Sequence, residues 1–266
     1  MDGQGWDADS HERFRRDGVV CLRGAVAAPR AAEMADAVWS FLESHADTRR
    51  SDAATWPAGP PGISLKKLKR SRTLRSGVAA PTIDEALDDV FGDAGWHRSK
   101  SGPQILVTFP SDDRWAVPDR PWHMDAGFAD DLDPPPGVKT FTVLEPLGER
   151  GGGTFVLAGS HRLQAAYAAS VGPDDRGGGL ASWSKLLRRD EWTDALQVPG
   201  EEPARSEALL AGERMVDGVP LRVVELAGEP GDVWLTHLHL FHCPSTGALD
   251  RPRLVVAESV SRDDRP

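Results

Sequence analysis

DVWLTHLHLFHCPSTGALDRPRLVVAESV, residues 232–260, decides how this chain is read. Its first ten residues are mostly apolar, aromatic or β-branched, the types that suit a pleated strand. Pro244, Gly247, Asp250 and Pro252 then mark a loop that reverses the chain. RLVVAESV follows as a second strand, expected to return antiparallel beside DVWLTHLHLF. That return would bring His242, at the end of the first run, close to Arg253, at the start of the second.

Working outward, QILVTF, VKTFTVL, GTFVLAG and LRVVEL are further short runs with strand composition, separated by Gly, Pro and Asp. Helical signals come earlier. Asp9 or Ser10 is placed to cap a helix ending at Asp17-Gly18, and VVCL follows as a strand. Pro29 opens a helix through about Ala46, with Met34, Val38, Phe41 and Leu42 at helical spacing. A third helix is expected over Pro81–Phe91, with Thr82 as cap, Glu85 as its capping-box partner and Gly92 as stop. Residues 160–215 read as helices and loop inserted between strands. Helices first and strands later predict a mainly β fold with flanking helices, a sandwich or barrel. The chain shows no internal repeat and no dividing linker, so residues 1–266 are expected to form one domain. Residues 1–100 would supply helices and an opening strand, and residues 101–260 the β core.

Composition narrows the function classes. A net charge of −10 disfavours nucleic acid and anionic membrane as partners, because both attract basic proteins. No apolar run approaches a membrane span, and the first residues lack a signal-peptide pattern. Cys21 and Cys243, far apart and without CxxC spacing, suit a reducing compartment, so a cytoplasmic location is expected. A basic run, Lys66 to Arg75, reads as a solvated face or loop, with an acidic substrate as the sharper alternative.

The HxD triplet occurs twice, at His45–Asp47 and His123–Asp125, and chance alone yields about one in a chain with 8 His. The first lies at a helix end, where residues two apart diverge. The second, in WHMDAGF, follows a strand and a Pro-containing loop. In extended backbone His123 and Asp125 point the same way while Met124 faces away. His237, His239 and His242 compete to be the third ligand. On a regular strand His237 and His239 share a face with Val233 and Leu235, and His242 lies on the other. A His237/His239 zinc site is therefore a rival, set against two buried histidines satisfied by hydrogen bonds. Arg253 favours His242, because a buried guanidinium needs an anion and its planar fork matches a carboxylate. Arg251, in the loop, is a solvated decoy. Two imidazoles and one carboxylate form the ligand set of a mononuclear non-haem Fe(II) site with open positions.

WHMD, GGGTFVLAGSHR and GDVWLTHLHLFHCPSTGALDRPRL together resemble, in order and spacing, the phytanoyl-CoA dioxygenase family of Fe(II)/2-oxoglutarate oxygenases. The resemblance covers roughly residues 103–260. It implies a double-stranded β-helix, or jelly-roll, core, with His123, Asp125 and His242 as catalytic metal ligands. It also implies Fe(II) as cofactor, with 2-oxoglutarate and O2 as co-substrates, and Arg253 holding the distal carboxylate of 2-oxoglutarate. Gln104 resembles a position that contacts the same co-substrate. Relatives often carry a hydroxyl residue two after the distal histidine. Here that place is Pro244, so Ser245 or Thr140 would have to make the contact. Related halogenases replace the metal carboxylate with a small residue, and Asp125 argues for oxygenation.

The expected reaction is oxidation of an unactivated C–H bond in a small organic molecule, with release of succinate and CO2. A zinc hydrolase and a non-catalytic jelly-roll binding protein using the same cluster are the alternatives. Trp183, Trp192 and Leu186 in the insertion, and Trp56, are candidates for the substrate mouth, with plain core packing as the competing reading.

Overall fold

Asp7 accepts a hydrogen bond from the Ser10 N–H and so caps helix α1, Ala8–Asp17. The cap therefore lies two or three residues before Asp9 or Ser10, because an extended residue just ahead of the first turn presents its carboxylate to the open N–H groups. Gly18, at φ +70°, ends the helix, and a Cβ there would lie 2.6 Å from His161 Nδ1. Strand β1, Val19–Leu22, follows, then α2, Ala28–Ala46, with Pro29 in its first turn. The computed structural model describes residues 5–112, 114–119, 121–200, 202–245 and 251–263. Gly247 and Asp250, expected to mark the reversing loop, lie outside the described residues.

The basic run forms a 3₁₀ segment, Leu65–Arg70, and helix α3, Arg72–Gly77, which bury Leu68 and Leu74 and turn most of their charges outward. Helix α4 spans Pro81–Phe91 and ends at Gly92 as expected. Its N-cap is Ala80, with no side-chain bond, so Thr82 and Glu85 form no capping box. Pro81 at the first helical position presets the turn and has no N–H to satisfy. Strands β2, Trp96–Arg98, β3, Gln104–Thr108, β4, Gly137–Val143, and β5, Phe155–Ala158, come next. The insertion holds α5, Ser160–Ser170, α6, Gly179–Leu187, α7, Glu191–Asp194, and α8, Pro203–Leu210. Strands β6, Arg214–Val216, β7, Val219–Glu225, β8, Val233–His237, β9, His242–Cys243, and β10, Arg253–Arg262, complete the fold. No helix among the described residues is long and apolar enough to cross a membrane.

Two antiparallel sheets result. One runs β1-β8-β4-β10, with β3 and β2 pairing successive parts of β10; the other runs β6-β7-β5-β9. Facing antiparallel sheets with helices packed outside are the jelly-roll architecture. The outer face of the larger sheet (Val138, Leu235, Leu254, Val256) packs on Met34, Val38 and Leu42 of α2 and on Ile83 and Leu87 of α4. Each such fully buried aliphatic side chain contributes about 2 kcal/mol by leaving water. The inner face (Phe141, Val143, Val255, Ala257) meets Val156 and Ala158 of the smaller sheet. The smaller sheet's other face, with Phe155, Leu157, Leu221 and Cys243, is covered by the insertion.

Two expectations about residues 232–260 are corrected. DVWLTHLHLF is not one strand. β8 ends at His237, whose carbonyl accepts from the Leu240 N–H at 3.0 Å and whose Nδ1 accepts from the His239 N–H at 3.0 Å. Those two bonds turn the chain off the first sheet, and His242 resumes in the second. Nor does RLVVAESV lie beside DVWLTHLHLF. β4 sits between β8 and β10, pairing Thr140 with Leu235 on one side and Glu258 on the other.

Candidate metal centre

His123 and His242 pair as an isolated antiparallel bridge, their N–H groups donating to each other's carbonyls at 3.0 and 2.8 Å. The HxD loop is thus stitched to the edge of the smaller sheet, and the Asp125 N–H donates to the Leu238 carbonyl at 3.1 Å. Met124, between the two ligand candidates, is buried in the core beneath the insertion. His242 pairs with Val156, an inner-face residue, so its ring enters the space between the sheets. One donor atom from each of His123, Asp125 and His242 lies within 4.8 Å of the others. Among the described residues no other trio of His, Cys, Asp or Glu does so.

Backbone carbonyls set the tautomers. His123 Nδ1 lies 3.3 Å from the Pro121 carbonyl and His242 Nδ1 lies 3.1 Å from that of Leu240. A carbonyl only accepts, so each Nδ1 carries the proton and each Nε2 keeps its lone pair outward. Burial pushes the His242 imidazole down to about 4, which keeps that lone pair available at neutral pH. Burial works to raise Asp125, and its neighbours, the nearby His242 and the hydrogen-bonded Lys139 ammonium, outweigh it and hold the carboxyl below its usual range.

Arg253 opens β10 on the inner face, in register with Thr108 of β3. It is 7% exposed; Nη1 donates to the Gly152 carbonyl at 2.8 Å and Nη2 to Thr108 Oγ1 at 2.9 Å, while Nε has no hydrogen-bond partner. Burial lowers its guanidinium to about 10, still a cation at neutral pH. These bonds go to the Gly-rich loop and β3 rather than to the three donors. Glu225 braces that loop by accepting from the N–H groups of Arg150, Gly152 and Gly153 at 2.8–2.9 Å.

The other co-substrate candidates separate. Gln104 pairs with Ala257, an inner-face position, and is exposed. Ser245 is buried just past β9. Thr140 is overturned as a contact. It shares its face with Val138 and Thr142, pairs with Leu235 and Glu258, and is buried on the helix side of the sheet. Strand alternation allows only Lys139 or Phe141 to look inward from that part of β4. Lys139 escaped the sequence reading, although one cation inside VKTFTVL was the signal. Its Nζ donates to Asp125 Oδ2 at 2.8 Å, and its side chain is 12% exposed.

Among the described residues, no third His, Cys, Asp or Glu donor converges with the rival histidines His237 and His239. His237 faces Phe14 and His161 on the helix side, with ring centroids 6.3 and 5.0 Å away. Leu186 is buried in the cluster under the insertion, and Trp183 and Trp192 are partly buried against that cluster. Trp56 packs on Trp39 and Phe109 instead.

A family model described as Phytanoyl-CoA dioxygenase (PhyH) matches residues 14–245, a span that ends short of Arg253. No curated protein matches the chain. Among solved structures, AviO1 from Streptomyces viridochromogenes Tue57 is similar at 17% identity and TM-score 0.57, over 100% of this chain and 98% of that one. The non-heme alpha ketoglutarate dependent epimerase SnoN from nogalamycin biosynthesis is similar at 17% identity and TM-score 0.54, over 96% and 80%. A non-heme monooxygenase, the ThoJ-Ni complex, is similar at 16% identity and TM-score 0.51, over 94% and 76%. At these identities the likeness concerns the fold.

Proposed function

This chain belongs to the phytanoyl-CoA dioxygenase family, and we propose that it is an Fe(II)- and 2-oxoglutarate-dependent dioxygenase. Its substrate would be an unactivated C–H bond of a small organic molecule. The observation that carries this reading is the trio His123, Asp125 and His242, whose donor atoms lie within 4.8 Å of one another. Both imidazoles offer Nε2 because both Nδ1 atoms face carbonyls. Two neutral nitrogens and one carboxylate on one side of an ion suit ferrous iron and leave positions for other ligands. SnoN has been solved in complex with Fe3+, alpha ketoglutarate and nogalamycin RO, which supports the same pair of groups here.

When bound, iron with O2 and 2-oxoglutarate supplies the oxidising chemistry, with succinate and CO2 released. The protein's part is geometric. The carbonyls of Pro121 and Leu240 orient the two rings, and the bridge between His123 and His242 fixes their separation. Arg253, desolvated yet charged, offers its unused N–H groups to the far carboxylate of 2-oxoglutarate. Phe141, Val143 and Val255 line the inner face and exclude water from it.

The test is anaerobic. Fe(II) and 2-oxoglutarate added to the wild type give a visible charge-transfer band, and His123→Ala gives none. Succinate release in air, which needs no knowledge of the substrate, should follow the same pattern. Identical spectra for the two proteins would sink the reading.

A further inference from the structure

Of the hydroxyl candidates for 2-oxoglutarate, Ser245, buried just past β9, is the one that remains. Pro244 stands at the position two after His242, and Thr140 is turned to the helix side. One residue earlier the strand points inward, and there stands Lys139. Its neighbours across the sheet are Ser259 and Thr236, and its ammonium lies 5.8 Å from the Phe141 ring on the same face. Arg253 lies deep on that face, at the other end of β10's inner row.

Asp125 Oδ2 connects Lys139 to the metal. It accepts from Lys139 Nζ at 2.8 Å and is also 3.8 Å from His242 Nε2, on the side where the three donors converge. An ion taking this oxygen competes with the ammonium for it. Lysine is suited to such an exchange, because its charge sits on a flexible stem and its donors rotate. Displaced from Asp125, the ammonium would remain on the inner face, close to the three candidate donors.

We propose that Lys139 is a second cationic anchor for the acidic co-substrate, at its metal end, and that an ion binding Asp125 releases the ammonium for this role. The proposal rests on the function proposed above. It separates from a merely structural ion pair by sign. A lysine that only braces Asp125 would strengthen metal binding, whereas a competitor for Oδ2 weakens it.

Anaerobic titration calorimetry tests this with Mn(II) alone, then with 2-oxoglutarate on the Mn(II)-loaded protein. Lys139→Met should bind Mn(II) at least as tightly as wild type and 2-oxoglutarate about tenfold more weakly, with Lys139→Arg retaining most of the affinity. Pyruvate keeps the keto acid and lacks the far carboxylate. Its affinity should fall by a similar factor in Lys139→Met and stay unchanged in Arg253→Met. Thr140→Val should alter none of these values. Weaker Mn(II) binding in Lys139→Met overturns the proposal, as does 2-oxoglutarate affinity within about twofold of wild type. A loss in Thr140→Val equal to that in Lys139→Met overturns it too. If wild type binds neither Mn(II) nor 2-oxoglutarate, the dioxygenase reading fails and this one with it.

Discussion

His123 and His242 have ring centroids 4.2 Å apart, while His161, His237 and His239 form a chain with centroids 5.0 and 5.4 Å apart. Proximity does not distinguish the two groups. In the first, each Nδ1 faces a carbonyl two residues back, both Nε2 atoms point into one space, and a carboxylate oxygen joins them. In the second, one ring nitrogen of His161 and one of His237 serve the backbone: His161 Nε2 meets the Arg15 carbonyl at 3.0 Å, and His237 Nδ1 accepts from the His239 N–H. Histidines become a metal centre when second-sphere bonds leave lone pairs convergent and an anion is within reach. Otherwise they act as polar wedges that satisfy turns.

Asp125→Ala breaks the comparison most severely. It removes the anion that distinguishes the first group, and is expected to abolish both Fe(II) uptake and succinate release, as read by metal analysis and turnover. His237→Ala is the converse. Metal affinity should stay near wild type, while loss of the turn-holding imidazole and the cavity left behind should cost about 2–4 kcal/mol in denaturant unfolding. A metal affinity that fell with His237 would erase the distinction between the groups.

The smallest effect concerns pH. Burial pulls His161 down to about 4, and His237 also lies well below its usual value. A depressed histidine stabilises the fold fully above its unfolded value of about 6.5, and that contribution is lost as pH falls from there to about 4. Melting temperature should therefore decline between pH 7 and pH 5, less steeply in His161→Gln. An equal slope in both proteins would show that this histidine is not held neutral.

Much of this was legible in the chain, for identifiable reasons. Pro29 and Pro81 at helix starts, and Gly18 and Gly92 at helix ends, restrict or free the backbone locally, so α1, α2 and α4 could be read with only the N-caps of α1 and α4 misplaced. The convergence of His123 and Asp125 could be read because extended backbone aligns alternate side chains. What failed was long-range. Nothing local in LTHLHLF shows that an imidazole will bond the His239 N–H and end a strand, since the residues continue to be β-formers. Which strand flanks β10 is likewise decided by sheet closure, so β4 entered where β8 was expected. With β4 between them, β10 does not bring Arg253 back beside β8, and alternation along β4 turns Lys139 inward rather than Thr140. β2 and β6, of three residues each, carry too little periodicity to be seen.

The turn after His237 leaves His242 on one sheet and Arg253 on the other. The span between them is therefore not fixed by any single segment of backbone. It is set by how Phe141, Val255 and Leu240 mesh with Val156 and Ala158 in the layer where the sheets meet. Repacking that layer would slide His242 past Arg253 and, under the proposed function, adjust the length of acid the pair accommodates with both residues unchanged.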